Sequence, residues 1–469
     1  MKKLFQKLTA AAGVALALVT ACAFAGCASP KGNGGVLRPD GGWGGISASR
    51  PSGGWGGADS GASDGSGSVS GGDFSYDPVV PDGGFEYVPD GGSGDTGKPE
   101  VSGKPQNPVV KQLTAAAWND AINYDDWLGL FQEQIAGEQE EEEITRKGLF
   151  YAYRNAMRGL DSREMHAVDV TSGGNPVANA KVTLYDGQQG VVYSAVSDSA
   201  GRAYVFGSGA QVAVTSGQYQ ASAALAEGVT SVELTNSAAA ENELEILLVV
   251  DTTGSMGDEL SFLCKELTGV VTRISDELDC KIRLGLLFYR DEGDAYLTRK
   301  YEFVDVSTEA GLNKAVLNIK GQSAGGGGDT PEAVDVALSE AVSMDWHSDS
   351  KTRLIFHVLD APYHDEQAHQ SRFADAVKSA AKQGIRIIPV AASGLDTLGQ
   401  FTMRSAALLT GGTYAFLTDD SGIGDSHDVP AVGQYTVEYL SDLMVRLTTG
   451  YYNGAFDEPI DWRQSESVV

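Results

Sequence analysis

Leu244-Glu245-Ile246-Leu247-Leu248-Val249-Val250 runs directly into Asp251-Thr252-Thr253-Gly254-Ser255. The first seven residues are apolar apart from Glu245, a run of the right length for one buried strand. The next five place an acid and two hydroxyls, Asp251, Thr253 and Ser255, at alternate positions just past the strand end. Side chains that offer only oxygen suit a hard cation such as magnesium, which takes oxygen donors in near-octahedral array.

Working outward from that stretch, strands alternate with helices from residue 242 onward. Strands are predicted over 244–250, 281–289, 299–304, 353–359, 385–391 and 412–418. Helices are predicted over 257–278, 308–319, 331–344, 366–383, 397–410 and 431–449. This alternation predicts an α/β fold, a doubly wound, mostly parallel six-stranded sheet with helices on both faces. The third strand follows a loop rather than a crossover helix and is expected to be antiparallel. In such sheets ligands bind beyond the carboxyl ends of strands, near the switch in strand order. Two more segments are delivered there. Gly325-Gly326-Gly327-Gly328-Asp329-Thr330-Pro331-Glu332-Ala333 combines close backbone approach with a helix start, in which Pro331 fits the first turn and Thr330 or Asp329 caps it. His357-Val358-Leu359-Asp360-Ala361-Pro362 places Asp360 at the end of another strand.

Asp251-x-Thr253-x-Ser255 resembles the metal-ion-dependent adhesion site of von Willebrand factor type A domains, Asp-x-Ser-x-Ser, with Thr253 in place of the first serine. The resemblance covers about 242–451, and its motifs arrive in family order. It implies a site built from Asp251, Thr253, Ser255, Thr330 and Asp360 that holds Mg2+, with Mn2+ or Ca2+ as alternatives. It also implies a partner, a protein or extracellular matrix ligand, whose Asp or Glu completes the ion's coordination. Tyr289-Arg290-Asp291 with Asp294, and Asp360-Ala361-Pro362-Tyr363-His364, look like one bacterial and eukaryotic subgroup. Asp291, Asp294 and His364 would then lie on the rim of the ligand site. The plain alternative is a domain that keeps these loops for structure alone; Asp291, Glu292 and Asp294 read first as a solvated turn, with a second cation site as the other reading.

Other chemistry fits less well. Asp251-Thr252-Thr253 lacks the second acid of the Asp-x-Asp phosphatase nucleophile. The glycine run lacks the Gly-Lys-Ser/Thr ending that grips nucleotide phosphates. His364 and His369 are five apart, not at the spacing of a one-face zinc pair. His357 falls in a buried strand. No enzymatic role is expected. The rivals to a binding role are a cell-envelope scaffold without metal exchange and a hydrolase using the cation as Lewis acid.

The rest of the chain sets the context. Lys2, Lys3 and Lys7 precede an apolar core over 8–25, the pattern of a signal peptide spanning 1–26. Phe24-Ala25-Gly26-Cys27 resembles a bacterial lipobox and makes Cys27 the expected lipidated residue. Val19-Thr20-Ala21-Cys22 also fits, so Cys22 is the alternative. A membrane-anchored lipoprotein at the cell surface is expected. The formal charge is −29, and removal of three lysines with the signal leaves −32. Such a chain repels nucleic acid and anionic lipid heads. Residues 27–107 are rich in Gly, Ser, Asp and Pro and read as a disordered tether, with Gly41-Gly42-Trp43-Gly44-Gly45 echoed at 53–57. Residues 108–161 are expected to be helical, over Gln112–Ile135 and again around Leu149, Tyr151, Tyr153 and Met157. The acidic run 138–143 is expected to be a solvated face or loop. From 163 to 237 the period becomes two, and the segment resembles carboxypeptidase-regulatory-like and immunoglobulin-like β-sandwiches. Residues 452–469 are a short tail. Cys264 and Cys280 are predicted to be separate thiols, since about 14 helical residues between them span about 20 Å and a disulfide needs about 7 Å.

Overall fold

The computed structural model describes residues 112–133, 147–328, 330–423, 427 and 430–465, apart from the side chains of Asp258 and Phe262. The expected signal peptide, Cys22, Cys27, the tether, the acidic run 138–143 and Asp329 lie outside the described residues.

The described residues begin with strand β1 (Thr114–Trp118) and helix α1 (Tyr124–Gly129). Eight short strands follow: β2 (Met165–Ser172), β3 (Asn175–Pro176), β4 (Lys181–Tyr185), β5 (Val191–Val196), β6 (Arg202–Phe206), β7 (Gln211–Ser216), β8 (Tyr219–Ala224) and β9 (Val229–Leu234). They form two four-stranded sheets, β3-β2-β6 with β9 beside β2, and β5-β4-β7-β8. Alternate residues Val168, Val170, Val182, Leu184, Val212, Val214, Val232 and Leu234 are buried together, as a period of two requires.

The large sheet takes the rest: β10 (Glu241–Asp251), α2 (Gly257–Glu277), β11 (Lys281–Tyr289), β12 (Thr298–Asp305), α3 (Glu309–Lys320), α4 (Val334–Val342), β13 (Ser350–Leu359), α5 (Gln367–Gln383), β14 (Ile385–Ala391), α6 (Thr397–Thr410), β15 (Tyr414–Thr418), β16 (Glu438–Tyr439), α7 (Leu440–Asn453) and α8 (Trp462–Ser465). Its order is β12-β11-β10-β13-β14-β15-β1-β16. The pairings from β11 through β15 are parallel, and β12 is antiparallel to β11. Both faces are covered. Leu244, Ile246, Leu248 and Val250 join one core with residues of α2, α3 and α7, while Leu247 and Val249 join another with residues of α4, α5 and α6.

The sheet therefore has eight strands, not six. Thr114–Trp118 was expected within a helix, but it pairs antiparallel with all of β15 and touches β16. Its alanines favour helix by local propensity, and pairing overrides that weak preference. Leu113 and Ala115 enter one core, Ala116 and Trp118 the other. The expected second helix around Leu149–Met157 is a series of turns. The last long helix starts at Leu440 rather than 431, because the segment before it runs extended into β16, with Gly433 against the Trp118 ring. Cys264 and Cys280 are half-buried free thiols.

Candidate metal centre

Strand order reverses at β10, which is flanked by β11 on one side and β13 on the other. Val250 pairs with Val358, so Asp251 and Asp360 leave the sheet close together on neighbouring strands. Asp251 is fully buried, and its Oδ1 accepts hydrogen bonds from the Thr253 backbone N–H and hydroxyl, both at 2.8 Å. The Thr253 and Ser255 hydroxyls are 3.3 Å apart, and the Ser255 hydroxyl bonds in turn to the Asp360 carboxylate. Four of the five expected residues thus meet. Thr330 stands exposed on the next loop, and among the described residues no hydrogen bond links it to these four.

That loop is held against the first. Gly254 N–H donates to the Gly326 carbonyl and Gly325 N–H to the Thr252 carbonyl, both at 3.1 Å. Gly326 and Gly327 have φ of +83° and +72°, which favours glycine. A Cβ on Gly326 would lie 2.2 Å from the Asp294 carboxylate, and one on Gly327 3.0 Å from Glu332 Oε1. Glycine is needed so that backbone and carboxylates can share this space.

Pro331 does not open a helix. Glu332 N–H donates to the Pro362 carbonyl at 2.9 Å, and Glu332 forms a parallel bridge with Tyr363. The chain stays extended there, and α4 starts three residues after Pro331. Glu332 is in consequence 3 % exposed. The sequence reading passed over it, because an acid directly after Pro331 reads as an ordinary first-turn residue of a helix.

The rim residues form a network of their own. Asp291 Oδ1 bonds His364 Nε2 at 2.7 Å. Asp294 Oδ2 accepts from Asp291 N–H at 3.2 Å and Gly327 N–H at 2.9 Å, which makes it the lock of a turn. Below the site, Tyr289 hydrogen-bonds to Asp251 and lies 3.3 Å from His357 Nε2. Burial pushes the His357 imidazole down to about 3, so it stays neutral in the core.

The electrostatics are those of crowded, buried acids. Burial, then the charge of Asp360, raises Asp251 to about 7 against the pull of the Thr253 bonds. Burial, then Asp251, Asp291, Asp360 and Asp294, raises Glu332 to about 9. Burial also lifts Asp360, opposed by the Ser255 bond. Asp251 Oδ2, Glu332 Oε2 and Asp360 Oδ1 are buried without a hydrogen-bond partner. A buried carboxylate oxygen left unpaired is costly, and oxygens of this kind beside hydroxyls are the donor type that suits a hard divalent cation.

A tighter group of potential ligands lies at the opposite end of β10. Glu243, Glu245 and His347 have ligand atoms within 4.8 Å of one another. These carboxylates are already matched. Lys281 Nζ lies 2.7 Å from Glu243, Arg283 pairs with Glu245, and Ser350 and His347 bond Glu243 at 2.7 and 2.6 Å. Burial pushes Glu243 up, but Lys281, Ser350 and His347 together bring it down to about 2. This is an ion-pair cluster.

No family model matches the chain. An ariadne-like RING finger protein of Acanthamoeba polyphaga mimivirus is 30% identical over 136 residues, 29% of this chain and 13% of that protein. The alpha-protein kinase vwkA of Dictyostelium discoideum is 28% identical over 149 residues, 31% and 22%. The chain thus spans a small part of the curated relatives it matches. Among solved structures, a von Willebrand factor type A protein from Catenulispora acidiphila is 14% identical with a TM-score of 0.30, covering 45% of this chain and 42% of that one. The pilus adhesin SpaC of Lactobacillus rhamnosus GG gives 12% and 0.31, covering 45% and 30%. BatB from Bacteroides thetaiotaomicron gives 14% and 0.27, covering 39% and 91%.

Proposed function

We propose that the region 242–451 is a von Willebrand A-type binding module. It holds a divalent cation, Mg2+ or else Mn2+ or Ca2+, where β10 and β13 end, and uses it to capture an acidic group of a protein or matrix ligand without catalysis. The observation that carries this reading is the set of buried carboxylate oxygens without partners, on Asp251 and Asp360, beside the Thr253 and Ser255 hydroxyls. None of the ion pairs among the described residues involves Asp251 or Asp360, which supports a balancing charge supplied from outside the chain. Thr330 enters by resemblance alone. The bound ion would supply positive charge to a visiting carboxylate. The chain's own part is to fix Asp251 through Thr253, to aim Ser255 at Asp360, and to present the glycine loop beside them.

The proposed setting is the outer surface of a membrane, with the chain anchored through Cys27 or Cys22. That rests on the basic and apolar start of the sequence. Isothermal titration of the chain with Mg2+ is expected to show a site that Asp251→Ala loses by at least a hundredfold. Pull-down from the native environment should recover partners with Mg2+ and not with chelator. A heat-silent wild type that captures the same partners in chelator would sink the reading in favour of a scaffold.

A further inference from the structure

We propose that Arg290 and Arg299, stacked on Tyr296, form a basic lip beside the candidate cation site, and that this lip takes the carboxylates of an acidic segment of a protein partner. The inference deepens the binding role proposed above and rests on it for the partner being a protein; the lip itself needs no metal. Its position follows from the sheet. Asp251 pairs with Tyr289 across β10 and β11, and Arg290 is the next residue along. Arg290 N–H donates to the Leu297 carbonyl at 3.0 Å, which closes the loop between β11 and β12. The Arg290 guanidinium carbon lies 4.7 Å from the centre of the Tyr296 ring, and that of Arg299 lies 4.1 Å from it. The Tyr296 hydroxyl is 2.7 Å from the Thr252 hydroxyl, so the ring that carries both cations is fastened to the loop of Asp251 and Thr253. Strand β12 is the edge of the large sheet, and Arg299 is exposed on it.

Charge makes this pairing unusual. The chain has 63 acidic residues against 34 lysines and arginines, yet among the described residues no ion pair includes Arg290 or Arg299. Their side chains are held by neutral acceptors instead. Arg290 Nη2 donates to the Ser323 carbonyl at 2.8 Å, and Arg299 Nη1 to Gln322 Oε1 at 3.0 Å. Arg290 Nε is buried without a partner. Asp294, on the same loop, is engaged by the Asp291 and Gly327 N–H groups. Two like charges against one ring repel, and a carboxylate that reaches them relieves this while meeting planar donors. The ring and the neutral acceptors fix both guanidinium groups beforehand, so less freedom is lost on binding. The choice of partner follows from the surroundings. A nucleic acid or sulfated glycan carries dense charge along its whole length and is repelled by the rest of a −29 chain. A short peptide segment with one or two carboxylates matches a lip of two cations.

The test uses the chain expressed without its signal and a fluorescent octaglutamate peptide as the probe, read by anisotropy at low salt, in chelator and again in Mg2+. Octaglutamine is the uncharged control. In chelator the octaglutamate should bind and the octaglutamine should not, with affinity falling as salt rises. Arg290→Gln and Arg299→Gln should each weaken that binding about tenfold. Lys378→Gln, which removes an exposed cation from α5, should leave it unchanged. Thermal melts check the fold. Should Arg290→Gln lower Tm, Arg299→Gln decides by itself, because its side chain is exposed. Unchanged octaglutamate affinity in the double variant would overturn the lip, as would equal weakening by Lys378→Gln. Heparin bound more tightly than octaglutamate, and lost in the double variant, would overturn the class of partner. The Mg2+ arm separates this inference from the cation site. Arginine-dependent binding with no gain in Mg2+ would support the lip and sink the cation reading alone. Binding seen only in Mg2+, and kept in the double variant, would sink the lip alone.

Discussion

Strand β10 carries acids at both ends, and the two ends treat them in opposite ways. At its start, Glu243 and Glu245 are buried among Lys281, Arg283, Ser350 and His347. At its finish, Asp251 is buried among Asp360, Glu332 and hydroxyls, and the unpartnered oxygens are on these acids. Proximity alone would choose the start, where the compact trio lies. The deciding quantity is the balance of charge. Where the chain supplies its own cations, the acids are structural. Where it withholds them, burial and neighbouring charge push the acids up, and the proposed reading assigns the balance to an ion from solution.

The sharpest way to break this contrast is to remove a cation from the start of β10. Arg283 is largely buried against the fully buried Glu245 and also stacks on Phe303, 4.9 Å from its ring centroid. Arg283→Met leaves Glu245 buried without its counter-ion, with only hydrogen bonds such as that from the His347 N–H at 2.9 Å, which should cost about 3–5 kcal/mol in denaturant unfolding. Adding Glu245→Leu should restore most of it. If Arg283→Met were harmless, the two ends would not differ in the way described.

Burial of an acid away from both ends of β10 is isolated by Glu266 on α2. It accepts one bond, from Leu113 N–H at 3.0 Å, and its Oε2 has no partner. Burial raises it to about 7. Its folded value thus exceeds its unfolded one, so the protonated form favours folding. That contribution is complete below about pH 4.5 and fades as pH rises through 7. On the order of 2–3 kcal/mol should be lost across that window, and Glu266→Gln should flatten this part of the stability-versus-pH curve. A wild-type curve that keeps its slope in Glu266→Gln would show that the slope arises elsewhere, at the acids ending β10.

Much of this was legible in the sequence, and the reasons differ by element. The strands of the parallel sheet are continuous apolar runs, and β11 and β14 fall on the residues expected, as does α6. Asp251, Thr253, Ser255 and Asp360 could be placed because strand ends fix where a side chain leaves the sheet. Thr114–Trp118 could not be placed, because three alanines carry no period and only β15, some 300 residues on, makes them a strand. Glu332 escaped for a related reason. Pro331-Glu332-Ala333-Val334 is a good local helix start, and only the distant Pro362 carbonyl keeps it extended. In both cases the missing information was long-range backbone pairing.

The smallest effect probes the finish of β10 directly. Asp360→Asn removes one of its buried charges while keeping the side chain's shape. In the metal-free chain at pH 8 it should stabilise by about 1 kcal/mol, raising Tm by a few degrees, because like charges in a dry site repel. With excess Mg2+ the sign should reverse, since the variant forfeits part of the stabilisation that ion binding gives the folded state. At the start of β10 no such reversal is expected: Glu243→Gln should destabilise with or without the ion, because it takes the negative charge from beside Lys281. A sign change at one end of the strand and none at the other can arise only if the chain itself neutralises one cluster and solvent ions neutralise the other. Melts of both variants, each run in chelator and in Mg2+, decide it, and a fixed sign for Asp360→Asn would place the two ends in the same class.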